Sequence, residues 1–315
     1  MVDGTHSLRL SPGSDASSAL ASGASSRPDR IERIPLGLRW INDAFDVAPT
    51  AGGFAMNLVD MTQAKLARRI LREANLPATI THLLVRACAL ALDRNPHLHQ
   101  TVCGYDRVTP GSVDIGLSQA GQTTYAPVVV LPRVNRRALS ELVPEIMLAC
   151  DAAMERELVD LAAMRRWLWI VPFGFLRRFV LRRLSAFFGF RKRLVGTFQV
   201  SVLPVDCFAP FLFYSGSVLA AGALRDRVVA VDGHPVVRPT TWLSLCADHG
   251  SLDGSRAAEL LEAIQAVLEG DELVGEARDA LRRAGRPAND GDPSRDASGA
   301  VVEERGGGRE APVVR

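Results

Sequence analysis

A histidine and an aspartate stand four residues apart in the stretch Thr241-Trp-Leu-Ser-Leu-Cys-Ala-Asp248-His249-Gly250-Ser251-Leu252-Asp253-Gly254. An apolar run with strand character ends there, and a helical pattern begins at once. The spacing predicts a tight connection at the lip of a sheet, carrying an imidazole. Histidine titrates near neutral pH, so it is the residue type suited to take up and return a proton. A nearby carboxylate, Asp253, can hold the loop or the imidazole in one orientation, and Gly254 frees the backbone to turn into the helix. H-x-x-x-D-G is a short pattern, however. The same residues also read as a polar loop histidine followed by a plain helix N-cap.

The elements that must position this loop follow from periodicity. Phe54–Met61 has strand character. Thr62 is placed as the cap of a helix that ends near Asn75, with Pro77 beyond. Thr79 or Thr81 opens a second helix, apolar almost all round and stopped before Pro96, so it should be buried on most sides. Strands are predicted around Thr101–Tyr105, Ser112–Ser118 and Tyr125–Leu131. Leu139, Leu142, Val143, Ile146 and Cys150 then share one helical face. The second half reads as strands at Thr197–Leu203, Phe211–Ala220, Arg227–Val231, Val236–Val237 and Thr241–Ala247, with Asp232-Gly233 as a hairpin turn. Ala257, Leu260, Leu261, Ile264, Val267 and Leu268 stripe a final helix closed by Gly270.

Composition bounds the function. The chain has 315 residues, 47% apolar, with a formal net charge of +2, which argues against a general nucleic-acid binder. Positive charge is almost all arginine, since only Lys65 and Lys192 are lysines. Five scattered cysteines (Cys88, Cys103, Cys150, Cys207, Cys246) form no CxxC pair, so neither a disulfide framework nor a zinc site is expected, and a cytoplasmic setting fits. No metal is expected, as His6, His82, His97, His99 and His234 lack ligand spacing. The N-terminus shows no secretory h-region. Residues 1–30 and 283–315 are rich in Gly, Ser, Pro and charge and are expected to be disordered tails around one catalytic domain, 31–282.

The stretch around His249 resembles the catalytic domain of the 2-oxo acid dehydrogenase acyltransferases, the dihydrolipoamide acyltransferase components that share the fold of chloramphenicol acetyltransferase. Further segments resemble that family in its order: Ile34-Pro-Leu-Gly-Leu-Arg39, Thr81 to Leu98, Val113-Asp-Ile-Gly116 with Ala126-Pro127-Val-Val, and Gly196-Thr-Phe-Gln-Val-Ser201. The resemblance implies an α/β chain, a two-layer α+β sandwich with a mixed sheet flanked by helices, assembled as a homotrimer. It implies a coenzyme-A-dependent acyltransferase that moves an acyl group from an acyl-CoA to a thiol or hydroxyl acceptor. In that reading His249 is the general base, Ser201 donates to the developing oxyanion, and Asp253 orients the loop. Histidine and serine would come from neighbouring subunits. Arg39 is a candidate ionic partner of the Asp253 loop.

Three departures from the family bear on activity. No lipoyl attachment lysine is present, since Lys65 follows Ala64 and Lys192 follows Arg191, so no covalent lipoyl group is expected and the acceptor is left open. Gly250 stands where the family carries arginine after the histidine, removing a charged contact. Leu203-Pro204 alters the end of the oxyanion strand. A catalytically inactive trimeric scaffold is therefore the alternative. The insert 163–193 carries aromatics (Trp167, Trp169, Phe173, Phe175) and paired arginines (Arg177, Arg178, Arg182, Arg183). It is too charged to span a bilayer. It reads as a lid packed on the domain, as a membrane-surface segment on the inner face, or as a partner-docking segment.

Overall fold

The computed structural model describes residues 27–33, 52–119, 127–170, 173–212 and 214–285, with backbone only at 160, 161, 164–170, 177 and 178. Two sheets carry the fold. Strands β1 (Arg30–Arg33), β3 (Thr101–Cys103) and β4 (Asp106–Thr109) form a small sheet in the order β1-β4-β3. The large sheet runs β2 (Gly52–Asp60), β10 (His234–Asp248), β8 (Ser217–Ala221), β7 (Phe198–Val202), β5 (Ile115–Ser118), β6 (Val128–Leu131), with β9 (Arg225–Val231) paired to the first half of β10. The sheet is mixed: β7 runs parallel to both β5 and β8, and the other pairs are antiparallel.

Helices α1 (Thr62–Glu73), α2 (Ile80–Arg94), α3 (Leu139–Ile170), α6 (Gly254–Glu269) and α7 (Glu272–Arg283) share one core with the sheet, and α4 (Gly174–Ser185) and α5 (Phe188–Val195) connect α3 to β7. Alternate strand residues supply that core: Ile115 and Leu117, Phe198 and Val200, Leu219 and Ala221, Leu243, Leu245 and Ala247. By the two-residue period of a strand, Ser118, Ser201, Ala220 and Ser244 therefore sit on the opposite face. The two-layer mixed architecture is the one expected from the sequence.

Several boundaries differ for local reasons. The Asp60 carboxylate, not Thr62, caps α1, accepting both the amide and the hydroxyl of Thr62. Thr79 opens α2 through a capping box with His82, whose Nδ1 accepts the Thr79 amide at 3.1 Å. The strand expected over 101–105 breaks at Gly104 (φ +60°), and its hairpin partner β4 was not foreseen. Asp232 (φ 51°) and Gly233 (φ 79°) make the foreseen β9–β10 turn, two left-handed residues that match the strand twist. The helix ending at Gly270 is not the last element: α7 follows. The expected tail boundaries fall inside described structure at both ends, since Arg30 begins β1 and Arg283 ends α7. The rest of the expected tails, 1–26 and 286–315, lies outside the described residues, as does Arg39.

One buried charge ties three helices together. Arg86, in the apolar helix α2, forks onto Glu276 of α7, with Nη2 at 2.6 Å and Nε at 3.0 Å from Oε1, and donates from Nη1 to the carbonyl of Val134. The other Glu276 oxygen accepts the Leu139 amide at the start of α3. Removing one member of such a pair strands its partner's charge. Arg86→Met is expected to cost about 3 kcal/mol, lowering the thermal midpoint by roughly 6–12 °C in calorimetry.

Candidate active site

Strand β10 delivers the candidate base. Its last residue, Asp248, accepts from the amides of Ser251 (2.8 Å) and Leu252 (2.9 Å) through its main-chain carbonyl, closing a tight turn. Its carboxylate accepts the Ser251 hydroxyl at 2.7 Å. Leu252 plugs into the core, and His249 is left on the exposed tip of the turn. The imidazole thus stands on a short connection fixed at both ends and open to solvent.

Asp253 lies where the sequence placed it, at the start of α6. Its Oδ1 accepts the Arg256 amide at 2.9 Å and the Ser255 hydroxyl at 2.7 Å. The Arg256 amide, then the Ser255 hydroxyl, hold this carboxyl below the usual carboxylate range. An ionised cap at a helix N-terminus fixes where the turn ends and the helix begins. Asp253 thus anchors the exit of the turn as the N-cap of α6.

The arginine that grips this loop was not anticipated. Arg107, on β4, donates from Nη2 to the Gly250 carbonyl (2.9 Å) and from Nη1 to the Ser251 carbonyl (3.0 Å) and to Gln100 Oε1 (3.2 Å). The Ser251 hydroxyl also accepts the Val102 amide at 2.9 Å. The small sheet thus clamps the His249 turn through its carbonyls. Burial, then Arg256, lowers the Arg107 pKa, and Asp248 opposes them. Arg107→Ala is expected to lower kcat roughly a hundredfold by loosening the turn. Arg107→Lys should restore only part of this, because a lysine lacks the planar fork. Steady-state kinetics beside circular dichroism would check both.

Ser201 sits on β7, half-buried, beside Ser118 of β5 and Ala220 of β8. A buried polar knot sets that register. The Thr197 hydroxyl accepts the Asp114 amide (3.0 Å) and donates to the Asp114 carbonyl (3.1 Å). The Asp114 carboxylate accepts the Ser112 hydroxyl (2.8 Å) and the Arg133 amide (3.0 Å), with Lys192 Nζ at 3.6 Å. Gly196 (φ +77°) passes so close that a Cβ would fall 2.5 Å from the Asp114 carbonyl oxygen. His99 is buried beside this knot. Desolvation foremost pushes its pKa down to about 4, Asp114 opposing and Lys192 assisting. A base depressed in the folded state favours folding above its unfolded pKa near 6.5, and that contribution is lost as pH falls toward 4. Denaturant unfolding from pH 7 to 4.5 should show a loss on the order of 2–3 kcal/mol that His99→Asn abolishes.

The sheet itself separates the two candidate groups. Ser201 pairs with Ala220, and Ala220 pairs with Ser244, so all three share one row across β7, β8 and β10. Asp248 lies four residues further along β10 and His249 beyond it. Four antiparallel residues span about 13 Å and two strand spacings about 10 Å. The main chains at Ser201 and His249 are therefore roughly 16 Å or more apart, beyond what the two side chains bridge around one reacting carbon. Cys246 gives no substitute nucleophile: it is buried, and desolvation followed by Asp248 pushes its thiol up to about 11. Among the described residues no His, Cys, Asp and Glu group could hold a metal ion.

Residues 196–275, which span Ser201, the Arg107-clamped turn and all of α6, match the model for 2-oxoacid dehydrogenases acyltransferase (catalytic domain). The fold around them is that of solved acyltransferase cores. A probable dihydrolipoamide acetyltransferase from Listeria monocytogenes is 19% identical at a TM-score of 0.53, covering 79% of this chain and 96% of that one. The Azotobacter vinelandii dihydrolipoamide acetyltransferase is 17% identical at 0.55, covering 84% and 100%. The truncated catalytic core of the 2-oxoacid dehydrogenase multienzyme complex from Thermoplasma acidophilum is 18% identical at 0.53, covering 75% and 96%. No curated protein matches the sequence.

Proposed function

We propose that this acyltransferase domain transfers an acyl group from a coenzyme A thioester to a thiol or hydroxyl acceptor, at sites completed between subunits of a trimer. One observation carries the reading. His249 stands exposed on a turn fixed by Asp248, Ser251 and Arg107, while Ser201 lies too far along the same sheet to share its carbonyl. A second copy of the chain is what can bring a serine opposite the histidine. The Azotobacter enzyme was studied for the roles of a serine, a histidine and an asparagine in its catalytic mechanism, the last two four positions apart. Ser201, His249 and Asp253 repeat those types and that spacing, with aspartate for asparagine.

The steps follow from the groups. The imidazole of His249 takes the proton of the acceptor thiol or hydroxyl. The freed sulfur or oxygen attacks the thioester carbonyl carbon, and the Ser201 hydroxyl donates to the oxygen that becomes negative. The tetrahedral centre collapses, the bond from carbon to the coenzyme A sulfur breaks, and the imidazolium returns its proton to that sulfur. Asp253 and Arg107 carry no proton; they hold the turn.

The test is release of free coenzyme A thiol from a panel of acyl-CoA esters, with and without dihydrolipoamide or small alcohols as acceptor. Acceptor-dependent release with at least one ester is expected. Gly250, in place of the family arginine, favours the second reading, a scaffold without activity. That reading predicts no release from any ester even in the assembled protein.

A further inference from the structure

We infer that α4 and its flanks rest on an anionic lipid surface. Residues 161–205 contain nine arginines and lysines and no aspartate or glutamate, in a chain whose overall charge is only +2. Charge of one sign has thus been gathered into one segment, and α4, in the middle of it, adds no residue to the core. In α4, residues 179–184 are exposed without interruption, which is more than a full helical turn, so over that stretch the helix offers no buried face to the described domain. Its exposed side chains are large and apolar: Phe175 is 67% exposed and Phe179 61%, with Leu176, Val180, Leu181 and Leu184 also exposed. Phe173 and Phe187 continue this surface at either end of the helix. A lid packed on the domain would have covered these groups.

The pattern selects the partner. Phe175, Leu176, Phe179, Val180 and Leu184 fall on one half of the helix by spacing, broken there only by Arg183, and Arg182 lies on the other half. Phenylalanines that enter the acyl boundary, beside arginines whose stems reach back to phosphate, fit a bilayer interface rich in acidic headgroups. None of the helices among the described residues is long and apolar enough to cross a membrane, so α4 would lie along the surface. The base of this arm is firm. Arg191 of α5 donates to the carbonyls of Tyr214 (2.6 Å) and Val102 (2.7 Å), fixing α5 to the small sheet near the His249 clamp. Docking of α4 therefore sets how that end of the domain faces the membrane.

The experiment is vesicle flotation of the full chain, with phosphatidylcholine alone and with phosphatidylcholine mixed with phosphatidylglycerol, at low and high salt. Binding is expected only with phosphatidylglycerol, and it should weaken as salt screens the arginines. Arg182→Ala with Arg183→Ala should reduce binding roughly thirtyfold. Phe175→Ser with Phe179→Ser should abolish it, while thermal unfolding of the core stays unchanged in both variants. Equal binding to neutral vesicles, no binding to either, or anionic binding that survives both variants would overturn the proposal. So would loss of self-association rather than vesicle binding in the phenylalanine variant, because α4 would then be a contact between copies.

Discussion

Replacing His249 with alanine is expected to lower kcat for acyl transfer about 10²–10⁴-fold while leaving the fold intact. The side chain is on the exposed tip of its turn, so its removal opens no cavity. The turn is held by main-chain carbonyls, the Asp248 carboxylate, Ser251 and Arg107, none of which needs the imidazole ring. What is lost is the group that takes the acceptor's proton. The loss should be shared by kcat and kcat/KM, as for an interaction made only on the way to the transition state. Turnover of wild-type size in this variant would remove His249 from the role of base.

Ser201→Ala should reduce kcat about 10²–10³-fold, with KM for the acyl-CoA little changed. A hydroxyl aimed at a developing oxyanion acts mainly when the charge appears, so binding of the neutral thioester does not report on it. The substitution is mild for the strand. Ser201 faces away from the helix core, and the register of β7 is set by Thr197, Asp114 and Gly196. Ser201→Thr, which keeps a hydroxyl, should recover much of the rate. A serine that served only packing would leave kcat untouched in both variants.

Much of this was legible in the sequence, and the unread parts have physical reasons. Alternation in β7 and β10 and the stripe of α6 fixed the histidine at a strand-to-helix turn, because both patterns are strong and close together. Asp232-Gly233 announced its hairpin through left-handed backbone. Arg107 was missed because it acts across more than 140 residues of sequence, through carbonyls that no residue type reveals. The signal available was Gly104-Tyr105, a turn that implies a second strand and places Arg107 on it. Arg86 was hidden in the same way: a lone arginine in an apolar helix has meaning only once Glu276 arrives from α7. That last helix escaped notice because Gly270 reads as a terminus. The length of α3, which runs on to Ile170, was hidden by its loss of amphipathic pattern once it leaves the core. The separation of Ser201 from His249 was out of reach altogether, since it depends on which strands are neighbours and in what register.

The most direct test is to mix chains. Protein carrying only His249→Ala and protein carrying only Ser201→Ala are each purified and assayed for coenzyme A release, then unfolded and reassembled together. If each site takes its histidine from one subunit and its serine from the next, random mixing leaves about a quarter of the sites complete. About a quarter of wild-type activity should then reappear where each parent has almost none. Mixed assemblies that form but stay as inactive as their parents would contradict a site built across the subunit boundary.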